Sequence, residues 1–321
     1  MKKLLRVFVT DFRFFIHSKA IYVLLALLTI IAVGNALTSL DMLKQNLSNF
    51  ERTKSEHVAN GEDVEKALQD EVHIQENKQS DDSVLVEIDN PVKYDFIQAG
   101  RSLFVLTREY YVRNTLEQLI FLFGPIFFPL LGLWFATYEF SNKTVKIRAI
   151  QRSWQSTVLA KQIFLIVLAV AVVCVYAITT GIVGIFIYNY AVKNVSNTGE
   201  LLQGVVFVSH ASLFVKILVS TFISSLLLLL GFSLGILFKK MAVPAGIILL
   251  YMLSFPIVGP YDLRSLIAVL GHEYFEFQGN FQYPLRGDAS FMEAVWLLSL
   301  LFIALFVLNL VIAKRQSKYI S

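Results

Sequence analysis

Six apolar segments of about twenty residues constrain the fold of this chain more than any other feature. They are 20–40, 117–138, 163–190, 212–238, 241–260 and 293–313. A bilayer with a hydrocarbon core of about 30 Å needs about 20 mainly apolar residues to be crossed as a helix. Charged or turn residues bound each segment, and no Asp, Glu, His or Arg lies near the middle of one. The sequence therefore predicts an all-α integral membrane protein with six transmembrane helices.

The composition agrees with a membrane location. Of the 321 residues, 56% are apolar and only 16% are charged, whereas a soluble domain carries about a quarter charged residues. The single cysteine, Cys174, lies within an apolar segment and has no partner for an intramolecular disulfide. We interpret it as a small buried apolar residue.

Lys and Arg fall on alternate connections between the segments. Fifteen of them lie in 1–19, 139–162, 239–240 and 314–321, whereas the other short connections hold four. Because short cytoplasmic connections carry the excess of basic residues, we predict that both termini are cytoplasmic and that 314–321 is a cytoplasmic tail.

The first nineteen residues have a helical pattern of their own. Basic residues occupy one side of this pattern, and the apolar positions on the other are Leu4, Leu5, Phe8, Phe12, Phe15 and Ile16. The pattern favours an amphipathic helix lying in the inner membrane interface. A basic flank without a function is the simpler alternative.

Two connections on the opposite side are long. Residues 41–116 carry nine basic and fifteen acidic residues, and we predict a small, mainly helical extracellular insertion there, with a short strand at 83–88 and a turn at "DNPVKYDF". It is either a solvated cap or a binding domain. The aromatic connection 261–292 is too apolar for a free loop and too short to cross and return, which predicts short re-entrant helices.

Motifs typical of enzymes are present only in fragments. "GFSLG" around Ser233 has the spacing of a hydrolase nucleophile, but it lies in an apolar helix without a histidine at the same depth. Gly231 and Gly235 are better explained by close packing between helices. "HEYFE" at His272 lacks the second histidine of a zinc site. We predict no enzymatic activity, no metal and no nucleic-acid binding.

The chain also lacks the usual means of energising transport. It contains no phosphate-binding G-x-x-x-x-G-K-[ST] motif, and its predicted spans lack the central charges that mark ion-coupled carriers. If the protein moves a solute uphill, the energy enters from outside the spans.

The connection 139–162 is unusually basic and partly apolar. Taken as a helix over 143–161, it places an apolar stripe (Ile147, Ile150, Trp154 and Val158) on one face and Val145, Arg148 and Arg152 on another. One interpretation is an anchor on anionic membrane lipids. The other is a docking helix for a partner protein. Periodicity alone does not decide between them.

In layout and in this connection, the chain resembles the ABC type-2 exporter permeases. In that family the second span ends in a Glu, followed by a Gly-Thr pair, a basic helix and a Lys that opens the third span. Glu139, Thr144 and Lys161 match these positions. Lys143 stands where Gly is usual, and "QRSW" replaces the usual Pro-x-Ser-Arg.

The resemblance implies the membrane subunit of a bacterial ATP-binding cassette exporter in the cell membrane. Its partners would be a separate ABC ATPase, which carries ATP and Mg²⁺, a second permease copy or paralogue, and membrane lipids; the chain itself would hold no cofactor. The ATPase would dock on a coupling helix through Glu139, Thr144, Val145, Arg148 and Arg152. The substrate would be a peptide, a lipid-like molecule or a drug.

The prolines and glycines of the second span would allow it to kink and move. The residues concerned are Gly124, Pro125 and Pro129, with Gly132 nearby. Their simpler explanation is that Pro and Gly are common in membrane helices. For the chain as a whole, the alternative is a membrane receptor or regulatory subunit that senses an external ligand through 41–116.

Overall fold

A computed structural model describes most of the chain. The described residues are 9–10, 12–13, 15–78, 84–142, 153–195, 197–203, 205, 209, 211–254, 256–277, 279, 281, 283–284 and 289–320. The chain divides into two compact units. Unit 1 comprises Met1–Ile31, Arg113–Ile178 and Ser209–Ser321, and unit 2 comprises Ala32–Val112 and Thr179–Val208.

The described residues are helical except for one hairpin and the connecting segments. The elements in chain order are α1 (Lys19–Ala59), α2 (Val64–Gln69), β1 (Ile74–Lys78), β2 (Val84–Ile88), α3 (Pro91–Val105), α4 (Arg108–Glu117), α5 (Gly124–Ser141), α6 (Trp154–Asn194), α7 (Thr198–Gln203), α8 (Leu213–Phe238), α9 (Ala242–Leu249), α10 (Leu263–Tyr274) and α11 (Phe291–Ile320). A π-helical stretch at Gln118–Phe123 joins α4 to α5, and another at Leu250–Ser254 follows α9.

Five stretches of helix within the described residues are long and apolar enough to cross a membrane. They are Ile21–Ala59, Tyr110–Ser141, Trp154–Asn194, Leu213–Phe238 and Phe291–Ser317. Each contains most of one predicted span. The chain therefore has the helical architecture of a multi-pass membrane protein.

The predicted span at 241–260 is not confirmed as a full crossing. Its helical part, Ala242–Ser254, has 13 residues, which rise about 20 Å against the about 30 Å of a hydrocarbon core. Pro256 follows and has no N–H to continue the helical hydrogen bonds. Counting apolar residues alone overestimated the length of this helix.

Several boundaries also differ from the predicted ones. Helix α1 runs on to Ala59, so the predicted insertion begins inside a continuous helix. Helix α6 begins at Trp154, earlier than the predicted span at 163. The reason is that helical hydrogen bonds need no apolar environment, and the polar residues beyond a span can extend the helix.

Unit 1 is built around the pair α5 and α8, which pack along much of their length, with α11 and α10 also against α8. Near the start of the chain, 1–8, 11 and 14 lie outside the described residues, and the described residues up to His17 are helical. Phe15 is buried against the rings of Phe135 and Phe164, with both centroid distances 5.9 Å, whereas Phe12 and Ile16 are exposed. An interfacial helix remains the prediction for this segment.

Unit 2 has an apolar core drawn from α1, α3, the start of α4, α6 and α7. Its buried members include Leu43, Leu103, Tyr111 and Leu201. The Tyr111 hydroxyl donates to the carbonyl of Ala32 at 2.9 Å. The predicted strand at 83–88 is confirmed as β2, which pairs antiparallel with β1.

The predicted turn at "DNPVKYDF" is wrong, because these residues begin α3. The Asn90 side chain accepts the Lys93 amide at 3.1 Å, and Pro91 occupies the first turn of the helix. An Asn cap followed by Pro is a helix-start signal as well as a turn signal. The long helix that follows shows that Asn90 and Pro91 begin a helix here.

Candidate functional site

The base of the predicted coupling loop is held by a buried ion pair. Glu139 lies in the last turn of α5, Lys161 lies in the second turn of α6, and their Oε1 and Nζ atoms are 3.0 Å apart. Both residues are almost fully buried, at 2% and 3% exposure. Lys161 Nζ also lies 3.3 Å from the carbonyl of Phe135. Two of the three residues matched by the family resemblance, Glu139 and Lys161, therefore join the helices on either side of the loop.

A second set of contacts extends this base to two more helices. Trp154, the first residue of α6, is buried and donates its indole N–H to Gln316 Oε1 of α11 at 3.2 Å. Gln316 in turn donates to the carbonyl of Ile236 near the end of α8 at 3.0 Å. The ring of Phe140 packs edge-on against Trp154, with centroids 5.6 Å apart. The base thus connects α5, α6, α8 and α11.

These contacts correct one part of the lipid-anchor interpretation. Trp154 and Val158, two members of the stripe expected to lie in the membrane surface, are 2% and 0% exposed. Protein atoms cover them. Their apolar character is therefore accounted for by packing at the base of the loop.

The remaining predicted docking residues are outside the part of the chain that the structure describes. They are Thr144, Val145, Arg148 and Arg152, all within 143–152. The described chain ends at Asn142 and resumes at Ser153. Of the docking set, the structure places only Glu139, and it places that residue inside the protein.

Helices α5 and α8 cross with their backbones in close contact. A Cβ atom built on Gly231 would overlap the carbonyl of Pro129, and one built on Gly132 would overlap the carbonyl of Leu228. A Cβ on Gly235 would meet the Cβ of Ala136. Glycine is the residue that permits such an approach, since any side chain would force the helices apart. Pro129, inside α5, lies directly at this crossing.

The start of α5 borders a cavity in unit 1. Gly124 follows the π-helical stretch, and Pro125 lines a cavity of about 390 Å³. Apolar side chains of the π-helical stretch before α5, of α5 itself, of the stretch after α9 and of α10 form most of its wall: Phe121, Leu122, Ile126, Met252, Leu253, Pro256, Ile257 and Ala268. Whether the Pro and Gly residues act as hinges remains a prediction.

A charged cluster that sequence reasoning missed lies at the other end of α8. Lys216, 0% exposed, forms an ion pair with Glu276, and its ammonium lies 5.3 Å from the ring centroid of Phe275. Glu117, also buried, accepts the Phe277 amide at 3.4 Å. The pair fastens the segment after α10 to the start of α8.

The sequence carries little signal for this cluster. Glu117 and Lys216 stand at the edges of apolar runs, where charges normally mark a membrane boundary. Lys216 and Glu276 are 60 residues apart, so no periodicity relates them. Glu276 was noted only because it occupies the position of the second histidine in the zinc-like segment "HEYFE".

A further ion pair orders the entry to α10. Asp262 caps the helix by accepting the Arg264 amide at 2.9 Å, and the Arg264 guanidinium lies 3.1 Å from its Oδ2 atom. The Tyr251 hydroxyl donates to the same carboxylate at 2.9 Å. Burial by itself would raise the pKa of Asp262, but the hydrogen bonds from Arg264, Tyr251 and the Val258 amide together lower it to about 2.

Ser233 and His272, from the two enzyme-like sequence fragments, each have a hydrogen-bond partner in the structure. The Ser233 hydroxyl donates to the carbonyl of Leu229 at 2.7 Å, one turn earlier in α8, as serines inside helices commonly do. His272 Nε2 lies 2.7 Å from the carbonyl of Tyr283. Within the described part of the chain, no three His, Cys, Asp or Glu side chains are grouped to bind a metal.

Comparisons of the chain with protein-family models, with curated proteins and with solved structures found no match.

Proposed function

We propose that this chain is the permease subunit of an ATP-binding cassette exporter, driven by a separate ATPase. In this proposal both termini are cytoplasmic, the chain dimerises with a second copy or a paralogue, and the substrate is a peptide, a lipid-like molecule or a drug. ATP and Mg²⁺ belong to the partner subunit. The placement of basic residues and the resemblance at Glu139, Thr144 and Lys161 are its sequence support.

The proposal requires the segment 241–260 to cross the membrane. The 13 helical residues supply about 20 Å, and the non-helical residues from Pro256 to Gly259 can supply about 10 Å more, since extended chain covers up to about 3.3 Å per residue. Non-helical backbone at membrane depth is tolerated where protein or a cavity surrounds it. Pro256 and Ile257 line the cavity described above.

The observation that carries the proposal is the buried base of the 139–161 connection. An exporter of this kind needs a cytoplasmic loop whose displacement moves transmembrane helices. Here Glu139 and Lys161 join the two helices that flank the loop, and Trp154, the first residue after the loop, is linked through Gln316 to α8. A buried ion pair is a poor source of net stability but holds its two partners in one geometry.

This geometry suggests how the ATPase would act. Binding of ATP to the partner subunit would displace the loop, and the base would transmit the displacement to α5, α6, α8 and α11 together. ATP binding can drive this displacement only if the free energy of the contact between the ATPase and the loop differs between the nucleotide-bound and nucleotide-free states. The chain would then alternate between two arrangements of these helices.

The test is a pair of substitutions in the exposed face predicted for the loop. Tagged protein is purified with its co-expressed ATPase from the native host, and the copurified P-loop ATPase is quantified by mass spectrometry together with ATP hydrolysis. Val145→Asp with Arg148→Glu should lower both at least tenfold, because the change removes an apolar contact and reverses a charge. Lys240→Glu, an exposed cation on the connection between α8 and α9, is the matched control and should leave both unchanged.

Two results would overturn the proposal. One is that no P-loop ATPase copurifies with the wild-type chain. The other is that the loop variant retains association and hydrolysis at the level of the control.

A further inference from the structure

Unit 2 contains a pocket of about 210 Å³ that none of the preceding functions uses. Four parts of the chain that are distant in sequence form it. They are the C-terminal part of α1, helix α2, helix α3, and the segment from the end of α6 into α7. Its apolar wall consists of Leu47, Phe50, Leu68, Phe96, Val195 and Leu201. All of these residues belong to unit 2.

The wall is held in place by the core of that unit. Leu201 is itself a member of the core, and Leu47, Phe96 and Val195 pack against it. The rings of Phe50 and Phe96 meet edge-on with centroids 5.3 Å apart. Beside them, the Thr53 hydroxyl donates to Asp95 at 2.6 Å and fastens α1 to α3. A pocket fixed in this way loses little conformational entropy when it binds a ligand.

The approach of α7 to the pocket depends on one residue in an unusual conformation. Asn197 has a φ of 60°, in the left-handed region that Asn adopts more readily than most residues. Its carbonyl accepts the amides of Glu200 and Leu201 at 3.1 and 3.2 Å. This turn brings Glu200 to the rim and Leu201 to the wall.

The rim is negative. Among the described residues that line the pocket, the charged ones are Glu51, Glu200 and Lys54, and all three are exposed. The surrounding unit carries nine Lys and Arg against sixteen Asp and Glu, a net charge of −7. A field of this sign attracts cations and repels anionic membrane surfaces.

The size of the pocket selects the kind of ligand. Pockets that enclose a drug-sized molecule have volumes of about 300–1,000 Å³, so this pocket is too small for one. It is large enough for a single aromatic or branched aliphatic side chain. In peptide recognition such a side chain is the anchor, and the charged rim acts on its neighbours.

We propose that unit 2 binds a basic peptide segment, which inserts one large apolar side chain against Phe50, Phe96 and Leu201 and places its cations near Glu51 and Glu200. The ligand class does not depend on the ATPase partner, so this site stands or fails separately from the exporter proposal. It would give the unit a sensing or substrate-capturing role.

The experiment measures peptide binding to the full chain in nanodiscs of zwitterionic lipid, with empty nanodiscs subtracted. The probe is a fluorescein-labelled peptide of sequence RRWWRR. The comparison peptides are RRSSRR, which keeps the charge, and EEWWEE, which keeps the aromatics. We expect saturable binding of the first peptide and at least tenfold weaker binding of the other two.

Matched variants separate the pocket from the overall charge of the unit. Glu51→Lys with Glu200→Lys should weaken RRWWRR binding at least tenfold. Glu56→Lys with Glu65→Lys changes the net charge equally, at exposed positions of α1 and α2 that do not line the pocket, and should weaken it less than threefold. Thermal unfolding of each variant confirms that all four substitutions leave the chain folded.

Three outcomes would overturn the proposal. They are the absence of saturable binding to the wild-type chain, equal binding of RRWWRR and RRSSRR, and equal loss in the two double variants. The last outcome would mean that diffuse charge, and not this pocket, attracts the peptide.

Discussion

The two units of this protein have net charges of opposite sign, and they differ in whether their charged residues are buried. Unit 1 holds 19 Lys and Arg against 8 Asp and Glu, a net charge of +11, whereas unit 2 has a net charge of −7. Among the described residues, every buried charged side chain belongs to unit 1: Glu117, Glu139, Lys161, Lys216 and Glu276. The charged residues of unit 2 whose exposure the structure describes are exposed or half-buried, as is usual in soluble proteins.

The apolar surface of unit 1 shows the reason for the difference. Helix α11 exposes a stripe at helical spacing, with Trp296, Leu300 and Ile303 between 62% and 71% exposed. Hydrocarbon can cover such a stripe, but it cannot solvate an ion. A charged side chain buried in unit 1 is therefore stabilised by a partner inside the protein. The partners come from distant parts of the chain.

The largest effect is expected from a substitution at the crossing of α5 and α8, in unit 1. We expect Gly231→Val to destabilise unit 1 by at least about 4 kcal/mol, because the new side chain overlaps the backbone of Pro129 and the helices cannot both keep their places. The measurement is the yield of monodisperse protein and its unfolding temperature in detergent. Gly246→Val, where a Cβ meets nothing within 4 Å, is the control. Equal behaviour of the two variants would show that the crossing does not hold unit 1 together.

The second test compares a lysine from each unit. Lys216→Met removes the buried cation that pairs with Glu276, and breaking such a pair typically costs about 3–5 kcal/mol. Lys93→Met in unit 2 removes hydrogen bonds from a solvent-accessible ammonium to the carbonyls of Gln69 and Asp70, which costs about 1 kcal/mol.

The two lysine variants are compared by thermal unfolding in the same detergent. The double variant Lys216→Met with Glu276→Gln should recover part of the lost stability, since the second change removes the negative charge of Glu276. If Lys93→Met were as destabilising as Lys216→Met, the contrast between the units would not hold.

The third and smallest test concerns pH. The pKa of Asp262 is about 2, below its ordinary value of 3.8, so its ionised form is favoured in the folded protein. Its contribution to stability is therefore present above pH 3.8 and is lost as the pH falls towards 2. We expect Asp262→Asn to cost about 1 kcal/mol at pH 7, and this difference from the wild type should shrink below pH 3.8.

The control for this test lies in unit 2. Asp63 caps α2 by accepting the amides of Glu65 and Lys66, and Asn caps a helix equally well. Asp63→Asn should therefore have little effect at pH 7. A difference between wild type and Asp262→Asn that stays constant down to pH 2 would contradict the predicted pH dependence.

Some features of this fold were predictable from local pattern and some were not. Apolar runs located the five long spans because a membrane helix depends on its own composition. At 241–260 the same count predicted a longer helix than the 13 residues of Ala242–Ser254, because Pro256 follows that helix and a count of apolar residues takes no account of proline. The strand predicted at 83–88 is present as Val84–Ile88. The start of α3 at Pro91 was mistaken for a turn, because Asn followed by Pro begins both turns and helices.

The candidate sites divide in the same manner. Glu139 and Lys161 were found through resemblance to a family pattern, and their contact in the structure adds the geometry. The pairing of Lys216 with Glu276, and the pocket of unit 2, each join residues from distant parts of the chain. No spacing rule within one sequence can reveal them, because tertiary packing alone brings them together.

The backbone contact between α5 and α8 has a mechanical consequence. Side chains that interlock can exchange rotamers and let two helices slide, but Gly132 and Gly231 leave no side chain between the carbonyl groups and the opposite helix. We therefore expect the pair to move together as a rod, about 27 Å long over the 18 residues of α5. One end of this rod carries Glu139 and the other borders the cavity at Pro125, so a tilt applied at the loop would reappear at the cavity wall.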